Sequence, residues 1–329
     1  MRSSRRDADV PALVEAARGG SARAVARLVS MVEDGHPGLR EVAAGLAPHT
    51  GRAYVVGLTG SPGVGKSTST NALVSALRRR ERRVGVLAVD PSSPFSGGAL
   101  LGDRIRMEEH ATDPGVFIRS IASRGQLGGL SFGTPQAIRV LDGAGCDVIL
   151  VETVGVGQAE IEIASLADTT IVLLAPGMGD GIQAAKAGIL EIADVYVVNK
   201  ADRDGADTTV RDLQGMLGLA GRYGVDPDDR WRPPIVKTIA SRGEGADDVL
   251  AAIDAHREWL EKTGGLRDRR RARAAREVEA IAIAELRARI GGLHGGSTPD
   301  SLADQVLDGE LDPYSAADRL LRESARETH

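Results

Sequence analysis

Residues 54–67 read YVVGLTGSPGVGKS, an apolar run that leads directly into a glycine-rich turn. The run is short and rich in β-branched side chains, as a buried strand requires, and Leu73, Val74 and Leu77 follow at helical spacing. A strand, a turn of the form G-x-x-x-x-G-K-S and a helix together make a P-loop, whose backbone N–H groups cradle phosphates. We therefore predict a nucleotide site at the end of this strand.

Each residue type in the turn has a physical task. The glycines let the backbone turn tightly, so that its N–H groups and the start of the helix face the phosphates. Lys66 supplies positive charge to the β- and γ-phosphates, and the hydroxyl of Ser67 suits Mg²⁺. A glycine-rich turn with a coincidental lysine is the alternative, and the strand and helix around it argue against this. The predicted binding residues are Gly60, Ser61, Pro62, Gly63, Val64, Gly65, Lys66, Ser67 and Thr68.

The rest of the chain fixes the fold class. After Tyr54, β-branched runs alternate with helical stretches, which predicts an α/β P-loop NTPase domain with a mostly parallel sheet flanked by helices. The expected strands are 54–59, 84–89, 116–121, 147–152, 169–175, 194–199 and 234–239. We expect three regions: a helical N-terminal extension (1–50), the P-loop domain (51–262) and a helical C-terminal region (263–329).

Composition excludes several function classes. The formal charge of −5 over 329 residues gives no general attraction to nucleic acid or anionic lipid. Cys146 is the single cysteine, so an internal disulfide is excluded and a reducing compartment is favoured. The sequence has no apolar run of transmembrane length, and no signal-peptide core follows its basic start. We therefore expect a cytoplasmic protein that binds neither nucleic acid nor membrane.

A second motif selects the base. Asn199, Lys200, Ala201 and Asp202 follow the apolar strand 195–198. The carboxylate of Asp202 can accept hydrogen bonds from N1–H and the exocyclic amine of guanine, whereas adenine offers no such donor pair. Because a buried carboxylate left unpaired costs several kcal/mol, the preference for guanine should be large. We expect Asn199 to brace the loop and Lys200 to lie over the base.

Weaker signals surround these motifs. Ala240 and Ser241, after strand 234–239, could offer N–H groups to the guanine carbonyl. Glu152 ends strand 147–152 and is followed by Gly155, where many GTPases carry Asp-x-x-Gly. We expect the N–H of Gly155 to bind the γ-phosphate. We assign Glu152 to Mg²⁺, directly or through water, although a carboxylate at a strand end can also be a helix cap or an ion-pair partner.

Two further acids are metal candidates, and two more residues are switch candidates. Asp90 ends strand 84–89 at the carboxyl edge of the sheet, where ligands of parallel sheets bind. Asp103 could act in metal binding or catalysis, or could be an ordinary helix N-cap. Gln158 is a candidate for positioning the attacking water by analogy with other GTPases. Lys186 could belong to a nucleotide-responsive loop or could simply solvate a helix.

As a set, these motifs resemble the MeaB/ArgK-type GTPases, the family of the human methylmalonic aciduria type A protein. The resemblance covers nearly the whole chain. It rests on Gly60–Thr68, Val89–Pro94, Gly102–Met107, Ser123–Leu130, Glu152–Gln158 and Asn199–Asp202.

The resemblance implies a function and a site. It implies a slow GTP hydrolase that acts as a chaperone of adenosylcobalamin-dependent methylmalonyl-CoA mutase, gating cofactor loading and protecting or reactivating the mutase. It also implies a homodimer joined through the C-terminal helices and Mg²⁺ as the cofactor of bound GTP or GDP. Asp90, Asp103 and Glu152 match the acids that gather around Mg²⁺ and the phosphates, and the loop with Lys186 matches a third switch.

Two other functions remain as alternatives. A P-loop kinase linked to arginine or ornithine transport would use the same phosphate loop but would need an acceptor pocket and tolerance of ATP. A metal-insertion GTPase would need a His/Cys cluster, and the six histidines are scattered without metal-ligand spacing. Asp202 argues against the kinase, since it selects guanine.

Overall fold

A computed structural model describes residues 9–91, 109–110, 112–123, 133–153, 159–177, 190–220, 230–291 and 299–326. Its strands lie where the sequence predicts them, with ends that differ by at most two residues. They are β1 (Tyr54–Thr59), β2 (Val84–Pro91), β3 (Val116–Ser123), β4 (Val148–Thr153), β5 (Thr169–Leu174), β6 (Val195–Val198) and β7 (Ile235–Lys237). Over the described residues they form one parallel sheet in the order β3-β2-β4-β1-β5-β6-β7. The predicted P-loop α/β class is confirmed.

The helices of the first part of the chain follow the predicted alternation with strands. The chain divides into two compact units, Met1–Arg270 and Arg271–His329. The first unit contains α1 (Val10–Arg18), α2 (Ala22–Glu33), α3 (Leu39–Leu46), α4 (Lys66–Arg79), α5 (Gly133–Gly143), α6 (Ala159–Leu166), α7 (Ala206–Ala220) and α8 (Ala246–Thr263). A ninth helix, α9 (Gly265–Gly291), starts in the first unit and ends in the second.

The sheet is buried on both faces, which explains its continuous apolar strands. Successive residues of a strand point to opposite faces, so Val55 and Val56 of β1 enter different cores. One core lies beneath α1, α2, α3, α5 and α6, another lies beneath α4 and α8, and a third, smaller core lies beneath α7. The N-terminal helices therefore join the first of these cores through apolar residues such as Leu28, Met31 and Leu46, each almost completely buried, and α2 contacts β3 directly.

The second unit consists of the remainder of α9 with α10 (Pro299–Leu307) and α11 (Pro313–Arg326). The sequence predicts a helical portion around Leu302 to Leu321, and the structure has two helices there, which pack together. The break has a local cause. Gly309 adopts a left-handed conformation with φ 72°, and the carboxylate of Asp312 caps α11 by accepting the N–H groups of Tyr314 and Ser315 at 2.9 and 3.1 Å.

No helix in the described portion of the chain is both long and apolar enough to cross a membrane. The division into 1–50, 51–262 and 263–329 stays a prediction.

Two arginines at the start of α9 tie that helix to the amino-terminal edge of the sheet. Arg269 forms a bidentate pair with Asp194, just before β6, at 2.8 Å for both N···O distances. Arg270 contacts Asp168, just before β5, at 3.0 Å, and also donates to the carbonyls of Gly51 and Ala53. Asp168 is completely buried, so this arginine compensates a charge that water cannot reach.

A chain of buried polar groups lies beside these pairs. The hydroxyl of Tyr54 is 2.7 Å from that of Thr169, which is 2.8 Å from Nδ1 of His256. The other ring nitrogen, Nε2, is 3.3 Å from Asp194. Burial lowers the pKa of His256 to about 4, although the nearby carboxylates of Asp194 and Asp168 act to raise it and Arg269 acts to lower it. His256 is therefore neutral in the folded protein at neutral pH.

We predict that Arg270→Ala lowers the free energy of unfolding by about 3 kcal/mol, because Asp168 then stays buried without its cation. Urea unfolding followed by circular dichroism measures this change. Arg267→Ala is the matched control, since Arg267 is exposed on the same helix and its side chain has no hydrogen bond or ion pair with any described residue. Equal stabilities for the two variants would contradict the proposed anchor.

We also predict a pH dependence that originates at His256. Its pKa is lower in the folded chain than the ordinary 6.5, so the unfolded chain binds the proton more tightly. The free energy of unfolding therefore has its full value with respect to His256 above about pH 6.5. As the pH falls towards 4, up to about 3 kcal/mol of it is lost. Urea unfolding at several pH values in this range measures the free energy of unfolding against pH. This free energy should fall less steeply with falling pH in His256→Gln than in the wild-type protein. An identical pH dependence in the two proteins would contradict the assignment.

Candidate functional site

The predicted site residues lie along the carboxyl edge of the sheet. Because β4, β1, β5, β6 and β7 are neighbours in that order, Glu152, the P-loop, Asn199 and the turn after β7 follow one another across the sheet. The register pairs Leu58 of β1 with Glu152 of β4, so the acid lies beside the start of the P-loop. This is the edge at which parallel sheets bind ligands.

Two glycines of the P-loop are required by their surroundings. Gly60 has φ 141°, and a Cβ there would collide with the carbonyl oxygen of Leu173 on β5. Gly65 has φ 95° at the N-cap of α4, and a Cβ there would collide with the side-chain amide of Asn199. The turn is therefore held close to both β5 and the guanine motif, which only a residue without a side chain permits.

Lys66 is almost completely buried, and its ammonium group stays within the turn. Its Nζ donates to the carbonyls of Gly60 and Ser61 at 2.6 and 3.2 Å. The positive charge is therefore held at the start of the helix, together with the N–H groups of the turn. Both features favour a polyanion such as a nucleotide phosphate.

The predicted metal-binding side chains are in contact. Ser67 donates a hydrogen bond of 2.7 Å to Oε1 of Glu152, and Thr70 lies 2.9 Å from Oε2 of the same carboxylate. Glu152 is only 4% exposed. The structure thus brings together two of the four residues assigned to Mg²⁺ and adds a second hydroxyl, that of Thr70, which the sequence analysis did not identify.

These oxygen groups suit the ion. Mg²⁺ prefers hard oxygen ligands and is commonly held by one or two carboxylates together with substrate phosphates, so an all-protein cage is not required. Among the described residues there is no group of three or more His, Cys, Asp or Glu side chains that could hold a metal alone. Ser67 and Glu152 would hold the ion against the nucleotide, and it would neutralise charge on the phosphates.

The side chain of Asn199 hydrogen-bonds to the P-loop and to the turn after β7. It is 2% exposed, and its amide nitrogen donates to the carbonyl of Val64 in the P-loop at 2.9 Å. Its amide oxygen accepts from the Thr238 hydroxyl at 3.1 Å and from the Ala240 N–H at 3.0 Å. One side chain therefore joins the P-loop, the end of β6 and the turn after β7, which is the bracing role expected of it.

Lys200 and Asp202, the other predicted binding residues of this motif, lie beside the P-loop and at the surface, respectively. Lys200 has φ 58° and donates from Nζ to the carbonyl of Gly63 at 2.6 Å, so its stem crosses the P-loop. The Asp202 side chain is 41% exposed, 4.0 Å from Arg242. The penalty for an unpaired carboxylate therefore arises only when a base covers Asp202. The Ala240 N–H already donates to Asn199, so it is not available to the guanine carbonyl. Of the two residues expected to contact that carbonyl, Ser241 remains.

Several predicted residues lie outside the described part of the chain. Asp90 is placed in β2, but its side chain is not described. Asp103, Gly155, Gln158 and Lys186 fall entirely outside the described ranges. Their roles stay predictions.

Thr70 and Thr238 are the residues that the sequence analysis missed. Thr70 is three residues after Ser67 and therefore lies on the same face of α4, so helical spacing could have identified it. Thr238 had no comparable signal, because its contact with Asn199 depends on the pairing of β6 with β7.

A further cavity lies at the opposite edge of the sheet. It has a volume of about 570 Å³ and is lined by strand starts, including Tyr54 and Val148, and by charged side chains. Two of its arginines already have acidic partners, Arg80 with Asp254 and Arg257 with Glu261, both at 2.8 Å. Ligands of parallel sheets bind at the other edge, so the P-loop edge is the candidate site.

Comparison with known proteins agrees with this geometry. Residues 25–292 match the family model for the methylmalonyl-CoA mutase-associated GTPase MeaB. A Pyrococcus abyssi protein that carries the name GTPase is 47% identical, over 94% of this chain and 95% of its own length.

Two further similarities extend the comparison. The mitochondrial methylmalonic aciduria type A homolog of Caenorhabditis elegans is 30% identical, over 96% of this chain and 83% of its own length. The crystal structure of a LAO/AO transport system kinase superposes with a TM-score of 0.67 at 26% identity, covering 95% of this chain and 97% of that one. The chain therefore belongs to the MeaB family of GTPases.

Proposed function

We propose that this GTPase is a chaperone of adenosylcobalamin-dependent methylmalonyl-CoA mutase that gates cofactor loading and protects or reactivates the mutase. The observation that carries this proposal is the family match, which spans most of the chain and names association with that mutase. The name of the Caenorhabditis elegans relative, which refers to methylmalonic aciduria, supports the same metabolic setting.

The arrangement of the site supports a nucleotide-controlled protein. Lys66 and the N–H groups of the P-loop would hold the phosphates, and Ser67 with Glu152 would hold Mg²⁺. In this class of reaction catalysis consists of positioning and electrostatic stabilisation, which a rigid, buried cluster provides. The contact from Asn199 to the P-loop makes base and phosphate binding parts of one unit.

The proposal includes a homodimer formed through the C-terminal helices. The large apolar side chains that are exposed in the described part of the chain all belong to the second unit: Val278, Ile281, Ile283, Leu286, Leu307, Tyr314 and Leu321. Exposed apolar side chains concentrated in one region are typical of interaction surfaces. A second copy of the chain is the partner we propose for them.

The alternative is a kinase linked to basic amino-acid transport, and the name of the LAO/AO transport system kinase is the observation that favours it. The two functions differ in the acceptor of the phosphoryl group. Transfer from nucleotide to arginine or ornithine, in preference to water, would support the kinase and contradict the GTPase chaperone.

We predict that guanine selection depends on Asp202. Asp202→Asn replaces one of the two acceptor oxygens by an amide donor. The hydrogen bond from the exocyclic amine of guanine is then lost and two donors face each other, so GTP affinity should fall by about 100-fold. Affinity for XTP should rise, because xanthine carries a carbonyl where guanine carries the amine. Calorimetric titration measures both, with Asp204→Asn as the control because Asp204 is an exposed neighbour. Unchanged GTP affinity in Asp202→Asn would contradict the assignment.

We predict that the purified mutase binds this protein and that its association depends on the bound nucleotide. Pull-down of methylmalonyl-CoA mutase by the GTP-loaded and GDP-loaded protein tests the partner and the switch together. GTP turnover with and without the mutase provides a second reading. If the mutase neither binds nor alters turnover, the chaperone function is wrong, whereas the family assignment stands.

A further inference from the structure

The two oxygens of the Glu152 carboxylate have different donors. Oε1 accepts from Ser67 at 2.7 Å, and Oε2 lies 2.9 Å from the hydroxyl of Thr70. Thr70 is completely buried and Glu152 nearly so, so water does not compete for these bonds. A donor on each oxygen fixes the orientation of the whole carboxylate, which a single bond would leave free to rotate.

Thr70 has two possible acceptors for one proton. Its hydroxyl is 3.0 Å from the carbonyl of Lys66, one helical turn earlier, as well as 2.9 Å from Glu152. Hydrogen bonds to ionised acceptors are roughly twice as strong as those between neutral groups. The hydroxyl therefore favours the carboxylate of Glu152 whenever that group is charged.

The side-chain length of Glu152 makes this second donor useful. Many GTPases place an aspartate after the corresponding strand, and glutamate has one more methylene and one more rotatable bond. Each additional free torsion costs side-chain entropy when a geometry has to be held. A buried hydroxyl that holds Oε2 restricts the added torsion before any ion binds.

We propose that Thr70 is a positioning residue: it holds Oε2 of Glu152 so that Oε1 stays directed at Ser67, where Mg²⁺ binds. The proposal rests on the GTPase function of the same site and on the assignment of Ser67 and Glu152 to the ion. Thr70 itself contacts neither the nucleotide nor the metal in this scheme. Its contribution is a carboxylate already oriented for the metal.

Magnesium-dependent nucleotide binding in the full-length protein tests the proposal without relying on activity. The affinity for a fluorescent GDP derivative is measured as a function of Mg²⁺ concentration. In Thr70→Val, the Mg²⁺ concentration that gives half of the increase in affinity should rise by about tenfold. GDP affinity in EDTA should stay within about twofold of the wild-type value, because the P-loop is intact. Thr70→Ser keeps the hydroxyl and should restore the wild-type Mg²⁺ dependence.

Two controls separate positioning from general damage. Ser75 also bonds to the carbonyl one turn earlier, that of Asn71 at 3.1 Å, but has no contact with Glu152, so Ser75→Ala should leave the Mg²⁺ dependence unchanged. Thr70→Ala removes the hydroxyl without adding a methyl group, and replaces Thr70→Val if that variant does not fold. Thermal unfolding establishes that the variants compared are folded.

The outcomes distinguish this inference from the proposed function. In the wild-type protein, Mg²⁺ should increase the affinity for GDP. If Thr70→Val and Thr70→Ala both show this increase at the same Mg²⁺ concentration as the wild-type protein, the positioning role of Thr70 is overturned. An equal loss of Mg²⁺ response in Thr70→Ser also overturns it. A wild-type protein that binds no guanine nucleotide contradicts the proposed function itself.

Discussion

The hydrogen bonds of Asn199 are the constraint on which the nucleotide edge depends. Its amide nitrogen holds the P-loop through Val64, and its amide oxygen holds the turn after β7 through Thr238 and Ala240. At 2% exposure, each of these bonds forms in a low-dielectric setting where an unpaired amide is costly. The close approach also explains Gly65, because any larger residue would collide with this amide.

The opposite edge of the sheet carries a second set of buried charges with a different role. Asp168 and Asp194 precede β5 and β6 and pair with Arg270 and Arg269, while His256 stays neutral beside them. These pairs fix the start of α9, the helix that continues into the second unit. One sheet therefore carries the P-loop at its carboxyl edge and holds the first residues of α9 at its amino edge.

Much of this architecture could be predicted from the sequence, because its signals are local. The strands follow from β-branched runs, and the P-loop follows from a pattern in which spacing and residue type are both dictated by phosphate binding. The partners of Asn199 were not predicted, since they depend on which strands become neighbours. Thr70 was also missed, although its spacing from Ser67 on α4 carried a local signal. The break between α10 and α11 was missed because the cap at Asp312 overrides the helical pattern on either side.

The central claim is that the carboxyl edge, braced by Asn199, binds Mg²⁺-GTP. The most direct test is a crystal structure with Mg²⁺ and a non-hydrolysable GTP analogue. The account predicts Mg²⁺ on the hydroxyl of Ser67 with Glu152 beside it, Lys66 on the phosphates, and N1 and the amine of guanine on Asp202. A guanine base bound away from Asp202, or a metal that does not involve Ser67, would contradict it.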